Sequence, residues 1–307
     1  MLSGSFEGWY FKQQSNGGVI AFIPAVHTGR DGEKSGSLQI VTRDKAWCVV
    51  LPDAPVYTLK PALSVSTGGC TFSSEGIKLD IRQPDISVTG QLCFGLPTLP
   101  KGDIMGLFKY VPFMECRHSV FSMTHTLSGS LTVNDSCMDF ADGMGYIEGD
   151  RGRSFPKRYI WTQCSWEDES RTDMLQHGTG GMKSGLCSVM LSVADVRPLG
   201  IPFIGIIGFV YYCGTEHRIA TYCGAKIDKL SSGRVTVRQG DMKLTAQLLD
   251  WNAKPAFKAQ KLQAPVSGRM ERLIKENLAC RARYTFTVKE CVLFDFITDK
   301  ASFEYEF

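Results

Sequence analysis

GYIEGDRGRSFPKRYIWTQC, residues 145–164, is the stretch on which the fold reading turns. Glu148, Asp150, Arg151 and Arg153 fall within six positions, Phe155 and Pro156 break the run, and Tyr159, Trp161 and Gln163 alternate beyond it. Alternation at period two puts those last three side chains on one face of a strand. Glu148 and Asp150 are also two apart, so both carboxylates can share a face. Charge and aromatic rings in one short unit mark either a binding or proton-transfer site or a structural corner between two domains. In the corner reading, Glu148, Arg151, Phe155, Pro156 and Lys157 form the junction.

On both sides of this unit, short runs rich in Val, Ile, Thr, Phe and Tyr recur between Gly, Asn, Asp and Pro. Before it they are residues 18–24, 37–42, 46–51, 76–82, 86–94 and 130–133. After it they are 159–166, 187–193, 204–213, 217–222, 235–239, 242–248, 280–288 and 301–307. The pattern predicts an all-β chain, mainly antiparallel, built as barrels or sandwiches. In the last run Ala301, Phe303, Tyr305 and Phe307 share a face, with Ser302, Glu304 and Glu306 opposite. One segment reads differently. Ser267 is placed to cap a short amphipathic helix over GRMERLIKENL, with Met270, Leu273, Ile274 and Leu278 as its apolar stripe. Arg269, Arg272 and Lys275 lie off that stripe, which leaves transient membrane-surface contact open beside simple packing on a barrel. Residues 198–213, PLGIPFIGIIGFVYYC, are shorter than the roughly 20 residues of a spanning helix and hold two prolines and three glycines. They read as a buried strand pair with a bend, so no integral membrane span is expected.

The 307 residues carry a net charge of +3. Residues 1–150 hold 11 basic and 15 acidic side chains, and residues 151–307 hold 23 and 16. The asymmetry fits an N-terminal domain over 1–150 and a C-terminal domain over 151–307. The basic half is too diluted by acids for a nucleic-acid surface, so no nucleic-acid partner is expected. The 11 cysteines are scattered with no Cys-x-x-Cys pair. With no basic n-region ahead of an apolar stretch at the start, they read as reduced thiols of a cytoplasmic protein.

A second dense cluster is FEGWYFK, residues 6–12. On a strand Glu7, Trp9 and Phe11 share one face and Phe6, Gly8, Tyr10 and Lys12 the other. Glu7 is either a general acid kept protonated by a dry cavity, or one half of a pair that fixes sheet register. Cys116, His118 and His125 lie on MECRHSVFSMTHTLSG, residues 114–129. Their spacing supplies no complete zinc set, and each histidine reads as pocket lining or a hydrogen-bonded core group. His177 opens HGTGGMKSG, whose Met182 interrupts a phosphate-loop pattern, so a hairpin loop is expected. Neither a dinucleotide fingerprint nor a nucleophile elbow occurs.

The paired segments FEGWYFK and GYIEGD…SFPKRYIWTQC resemble the tocopherol cyclase-like family. HSVFSMTHTLSG and APVSGRMERLIKEN (264–277) are similar to its bacterial branch. The resemblance implies two lipocalin-like β-domains in tandem, related to carotenoid hydratases and some fungal cyclisation enzymes. In the plant enzyme an acid protonates a trisubstituted alkene of a prenylated quinol, and the phenol oxygen captures the tertiary cation. In the hydratases water is the nucleophile. Such chemistry calls for a dry apolar cavity, one protonated acid and aromatic faces, and for no metal or redox cofactor. By motif, Glu7, Trp9, Tyr10, Asp150, Phe155, Pro156, Lys157, Trp161 and Gln163 carry over. The resemblance also admits a clamp in which Glu7 bonds Lys157 or Arg158.

The expectation is a cyclase, of intramolecular lyase or isomerase type, or a hydratase acting on a hydrophobic isoprenoid or polycyclic molecule. The alternative is a lipid-binding protein without catalysis. The expected catalytic residues are Glu7 or Asp150 as acid with His118 or His125 in relay. The expected ligand contacts are Trp9, Tyr10, Tyr159, Trp161 and Gln163. Oligomeric state and substrate identity are left open.

Overall fold

The computed structural model describes residues 4–51, 53–60, 62–112, 114–168, 185–197, 201–250 and 260–307. These build two antiparallel sheets. The first holds β1 (Ser5–Ser15), β2 (Gly18–Thr28), β3 (Lys34–Thr42), β4 (Ala46–Leu51), β5 (Val56–Thr58), β6 (Ser64–Thr67), β7 (Cys70–Ser73), β8 (Gly76–Gln83), β9 (Ile86–Phe94), β10 (Cys116–Val133), β11 (Ser136–Asp139) and β12 (Gly143–Gly152). Its order is β4-β3-β2-β1-β12-β10-β9-β8-β7-β6-β5, with β11 on β10. The second holds β13 (Tyr159–Glu167), β14 (Leu186–Val196), β15 (Phe203–Tyr212), β16 (Thr215–Ala220), β17 (Lys226–Ser231), β18 (Arg234–Gln239), β19 (Met242–Leu248), β20 (Gln260–Val266), β21 (Arg269–Val288) and β22 (Cys291–Tyr305). Its order is β16-β15-β14-β13-β22-β21-β19-β18-β17, with β20 on β21.

Neither sheet closes into a barrel among the described residues. The first ends on β4 and β5, the second on β16 and β17. Strand β5 is three residues long and follows Pro55, which has no N–H to offer a ladder. Each sheet instead curls around its own core: Trp9, Phe11, Phe22 and Phe72 in the first, Ile160, Val189, Tyr284 and Phe303 in the second. A third apolar cluster lies between the sheets and includes Tyr10, Met105, Tyr146, Trp161, Phe209 and Ile274. Strand β1 shows how one sequence serves two layers. Trp9 and Phe11 belong to the first sheet's core while Tyr10 belongs to the junction, as period-two alternation requires.

The helix expected after Ser267 is not formed. Ser267 and Gly268 are the two central residues of a β20–β21 hairpin, with φ of +51° and +82°. Positive φ at both positions is the type I′ turn whose twist matches the flanking strands. Residues 269–278 then run as strand, and Leu273, counted in the helical stripe, is 60% exposed. The face turned inward is Met270, Arg272, Ile274, Glu276 and Leu278. Arg272 is polar yet tolerated there because its guanidinium donates to the carbonyls of Pro156 and Lys157 at 2.7 and 2.9 Å. At Ala279, φ +56°, a bulge shifts the register. Leu278 therefore faces the junction, while Ala282, Tyr284 and Phe286 face the second core. Residues 203–212 form the single strand β15; residues 198–200 and the glycine-rich 177–184 lie outside the described residues. Among the described residues no helix is long and apolar enough to cross a membrane.

Candidate functional site

The junction holds a partly open cavity of about 330 Å³ between the two sheets. The first sheet supplies Phe6, Gly8 and Tyr10 from β1, Ala25 and His27 from β2, His118 from β10, and Glu148 and Asp150 from β12. The second supplies Tyr159 and Trp161 from β13, Ile274 from β21 and Glu304 from β22. The link segment gives Phe155 and Pro156, and a short 3-10 turn at Gly106–Tyr110 gives Phe108. Size and apolar lining are those of a small-molecule site.

His118, Asp150 and Glu148 make the polar centre of one wall. The β10–β12 register puts His118 opposite Asp150. His118 Nδ1 lies 2.9 Å from Asp150 Oδ1, and Nε2 lies 3.1 Å from Glu148 Oε2 with an angle short of a hydrogen bond. Burial alone would push the imidazole down, but Glu148 and Asp150 outweigh it and hold its pKa well above the usual histidine range. His118 is therefore an imidazolium clasped by two carboxylates. Glu148 Oε2 also accepts from Tyr146 OH at 2.5 Å and from Trp161 Nε1 at 3.2 Å. The three groups bring potential ligand atoms within 4.8 Å of one another, a spacing that would suit a metal ion. Here both ring nitrogens of His118 already face carboxylates, and the imidazolium supplies the positive charge that holds the cluster together.

The facing wall holds Glu304, and Glu276 lies buried beside it without lining the cavity. Glu276 of β21 and Glu304 of β22 are register partners. Tyr10 OH donates to Glu276 Oε1 at 2.6 Å, which ties the two sheets, and Tyr159 OH donates to Glu304 Oε2. Burial pushes the Glu276 carboxyl up to about 7, against the lowering pull of Tyr10 and Lys12. Burial, reinforced by Glu276, raises Glu304 well above the carboxylate range. Glu304 is thus a neutral carboxylic acid at the cavity wall. Behind them Lys12, 1% exposed, donates to Gln163 Oε1 and Lys300 O at 2.9 and 2.8 Å, and burial pushes its ammonium down to about 8.

Of the residues expected from sequence, His118, Asp150, Tyr10, Tyr159 and Trp161 meet at the cavity, together with Glu148, Phe155 and Pro156, while Trp9 borders it from the first sheet's core. Gln163 sits on the same strand face as Trp161 but deeper, holding Lys12. Glu7 points to the other side of β1, where Tyr57 OH donates to it at 2.7 Å and Arg151 is its register partner. His125 is in the first sheet's interior, stacked on Phe94 at 4.3 Å with Nδ1 2.9 Å from Ser122 Oγ. Burial pushes its pKa down to about 3, so it is neutral. Lys157 contributes its carbonyl to Arg272. Glu276, Glu304, Lys12, Tyr146 and His27 were not singled out by sequence. The one local hint was the polar alternate Ser302–Glu304 in β22.

Residues 80–206 match the family described as tocopherol cyclase-like. No curated protein is similar to the chain in sequence. Among solved structures, CghA with Sch210972 is 11% identical, with a TM-score of 0.58 over 98% of this chain and 88% of that one. A second CghA structure gives 0.55 over the same shares at 11% identity. A protein described as an AttH, from Nitrosomonas europaea, is 10% identical, with a TM-score of 0.52 over 99% of this chain and 92% of its own. At such identities the likeness is one of fold. The sequence resemblance is borne out over residues 80–206, and that segment, running from β8 to β15 through the junction, is tocopherol cyclase-like.

Proposed function

We propose that the protein binds a hydrophobic small molecule, isoprenoid or polycyclic, in the inter-sheet cavity and promotes cyclisation or hydration of an alkene by proton transfer. The observation that carries this reading is the buried Glu304 carboxyl on one wall of the cavity, with the ion-paired His118, Glu148 and Asp150 on the other. Environments that keep one acid protonated beside ion-paired carboxylates divide the acid role from the base role. In the proposed step the Glu304 proton adds to one alkene carbon and leaves a tertiary cation on the other. The rings of Tyr10 and Trp161, edge-to-face at 5.3 Å, stabilise that cation. A hydroxyl of the substrate or a water then bonds the cation, and its proton passes to Asp150, held in place by His118. Proton donation and capture need neither metal nor redox cofactor. This reading also takes 1–150 and 151–307 as two domains with the ligand site at their junction. The likeness to a CghA structure containing Sch210972 supports a small-molecule ligand of some kind.

The test starts with mass spectrometry of molecules that co-purify from the native host. These are then incubated in D2O with the native protein, Glu304→Gln and Asp150→Asn. Turnover by the native protein places one solvent deuterium on carbon, and both variants lose at least about 100-fold in rate, the lower end of the usual general acid–base contribution. A product free of carbon-bound deuterium, or a fully active Glu304→Gln, refutes the mechanism. Binding without turnover by the native protein leaves the ligand-carrier alternative.

A further inference from the structure

Cys213 and Gly214 are the two central residues of the β15–β16 hairpin, between the register partners Tyr212 and Thr215, with φ of +46° and +81°. Positive φ at both positions makes a type I′ turn, whose first position favours asparagine, aspartate or glycine. A cysteine gives up that preference and is held there at a cost in backbone strain. What the position gives it is a sulfur contact. Cys213 Sγ lies 3.9 Å from Sγ of Cys187, 26 residues earlier in the chain. Cys187 is the second residue of β14, next to Ser188, whose register partner Tyr211 stands two residues before Cys213. Cys187 is fully buried and its thiol donates to Gly185 O at 3.3 Å, whereas Cys213 is part-exposed. Both are free thiols. A disulfide has its sulfurs ~2.05 Å apart, so the two must close by about 1.9 Å, a step within reach of side-chain rotation when one partner sits on a hairpin turn.

We propose that Cys187 and Cys213 are a reversible redox pair that a hydroperoxide closes into a disulfide. The part-exposed Cys213 meets the oxidant. Its thiolate sulfur attacks the peroxide, the O–O bond breaks, and Cys213 becomes a sulfenic acid while an alcohol or water leaves. The sulfur of Cys187 then bonds the Cys213 sulfur, the S–O bond breaks, and the sulfenic hydroxyl departs as water with the Cys187 proton. Two thiols and one hydroperoxide thus give one disulfide, one water and one alcohol, or a second water when the oxidant is hydrogen peroxide. Burial raises the Cys187 thiol above its ordinary range and shields it from the oxidant, which sets the order of the two steps. Its slow intrinsic attack is offset by contact with the acceptor sulfur, which replaces a bimolecular encounter. The second sheet ends in the order β16-β15-β14, so the bond ties the start of β14 to the hairpin at that edge. The edge tightens in the presence of peroxide and relaxes under a dithiol reductant. The pair stands apart from the cavity. Ser192, the nearest β14 residue lining it, is five residues from Cys187, ~17 Å at ~3.4 Å per residue.

The test uses the full chain with the exposed Cys48, Cys93, Cys137, Cys223 and Cys291 replaced by serine, so that cross-links between molecules do not form. The protein is treated with a small molar excess of hydrogen peroxide, digested without reduction and mapped by mass spectrometry. The expected result is a peptide pair joined through Cys187 and Cys213 in most of the molecules, two hydrogens lighter than its separate parts. The melting temperature is expected to rise by roughly 5 °C, and dithiothreitol reverses both changes. In Cys187→Ser the sulfenic acid on Cys213 has no resolving thiol, and dimedone captures it. Cys213→Asn suits the turn and so keeps the fold, and it abolishes both the link and the response of the melting temperature to peroxide. Absence of the joined peptide, oxidation of Cys213 to a sulfinic acid with Cys187 untouched, or a link from either residue to a different cysteine overturns the pair. A peroxide-induced rise in melting temperature that persists in Cys213→Asn also overturns it, because the stabilisation then has another source. Each of these outcomes leaves the ligand reading of the cavity as it was.

Discussion

Replacing Glu276 with glutamine tests the property on which acid chemistry in this cavity depends, namely that burial keeps a carboxyl protonated near neutrality. Glu276 is fully buried and its pKa is pushed up to about 7, against an ordinary glutamate near ~4.3 in the unfolded chain. Below about pH 4.3 both states are protonated and stability is at its full value. Between there and pH 7 the unfolded chain releases a proton that the folded chain retains, so stability falls as pH rises. Above the folded pKa the loss is complete, and a gap of this width is worth about 4 kcal/mol. Glutamine preserves the acceptor for Tyr10 OH and puts an amide where Oε2 has no partner among the described residues. The variant is therefore expected to match the native protein near pH 4.3 and to melt higher at pH 8.5, by roughly 5 °C or more for a chain of this size. Thermal melts followed by near-UV circular dichroism from pH 4 to 9 give the difference directly. The same ramp in the native protein includes His118, whose raised folded pKa acts in the same direction. That contribution is common to both proteins and drops out of the comparison. A native-to-variant difference that does not change with pH, or a variant less stable at pH 8.5, refutes the claim that Glu276 is held protonated.

Two substitutions probe the rest of the reading. Glu7→Gln separates an acid from a clamp: weakening of the acceptor for Tyr57 OH is expected to lower stability by about 1 kcal/mol in urea titrations, and a fall in turnover below a tenth of native would restore Glu7 as the acid. Gly268→Ala puts a Cβ 2.4 Å from Ser5 N at a φ of +82°, so a loss of about 2 kcal/mol or more is expected; were residues 268–278 helical, alanine would leave the melting temperature unchanged or raise it.

The all-β class and the strand faces were legible because they depend on neighbours in sequence. Tyr159 and Trp161 alternate onto the cavity wall as period two requires, and Gln163 follows them to Lys12. The β21 error has the same origin. Met270, Ile274 and Leu278 satisfy both a helical stripe and a strand face, and what separates the two is the fate of Arg272, Leu273 and Glu276. Arg272 and Glu276 go inward because Pro156, Lys157 and Tyr10 receive them from more than a hundred residues away. No local pattern carries that information. Likewise Glu304 stands on what reads as the polar side of β22, and its burial follows from packing against the other sheet. His118 meets Asp150 through the pairing of β10 with β12, whose two register shifts lie between Val120 and His125. The resemblance pointed to the right strands, and residue spacing could not say which carboxylate faced the cavity.

Stability alone gives no reason to place these acids at the junction. Glu148, Glu276 and Glu304 are each at most 9% exposed, and Asp150 lines the same cavity. Desolvating carboxyl groups is expensive, and well-packed apolar residues of similar volume would hold two sheets together at least as firmly. The first sheet's own core is closed without a charge, through Phe11, Phe22 and Phe72. The junction instead offsets its acids in two different ways. On the first sheet's wall an imidazolium compensates Glu148 and Asp150, and on the second sheet's wall protonation compensates Glu304. Two solutions on facing walls, with apolar space for a ligand between them, keep a proton donor apart from a proton acceptor. A clamp between sheets would gain nothing from that separation, because either wall's solution used twice would bind the sheets equally well. The proposed reaction, which delivers a proton at one end of an alkene and removes another after capture, makes use of it.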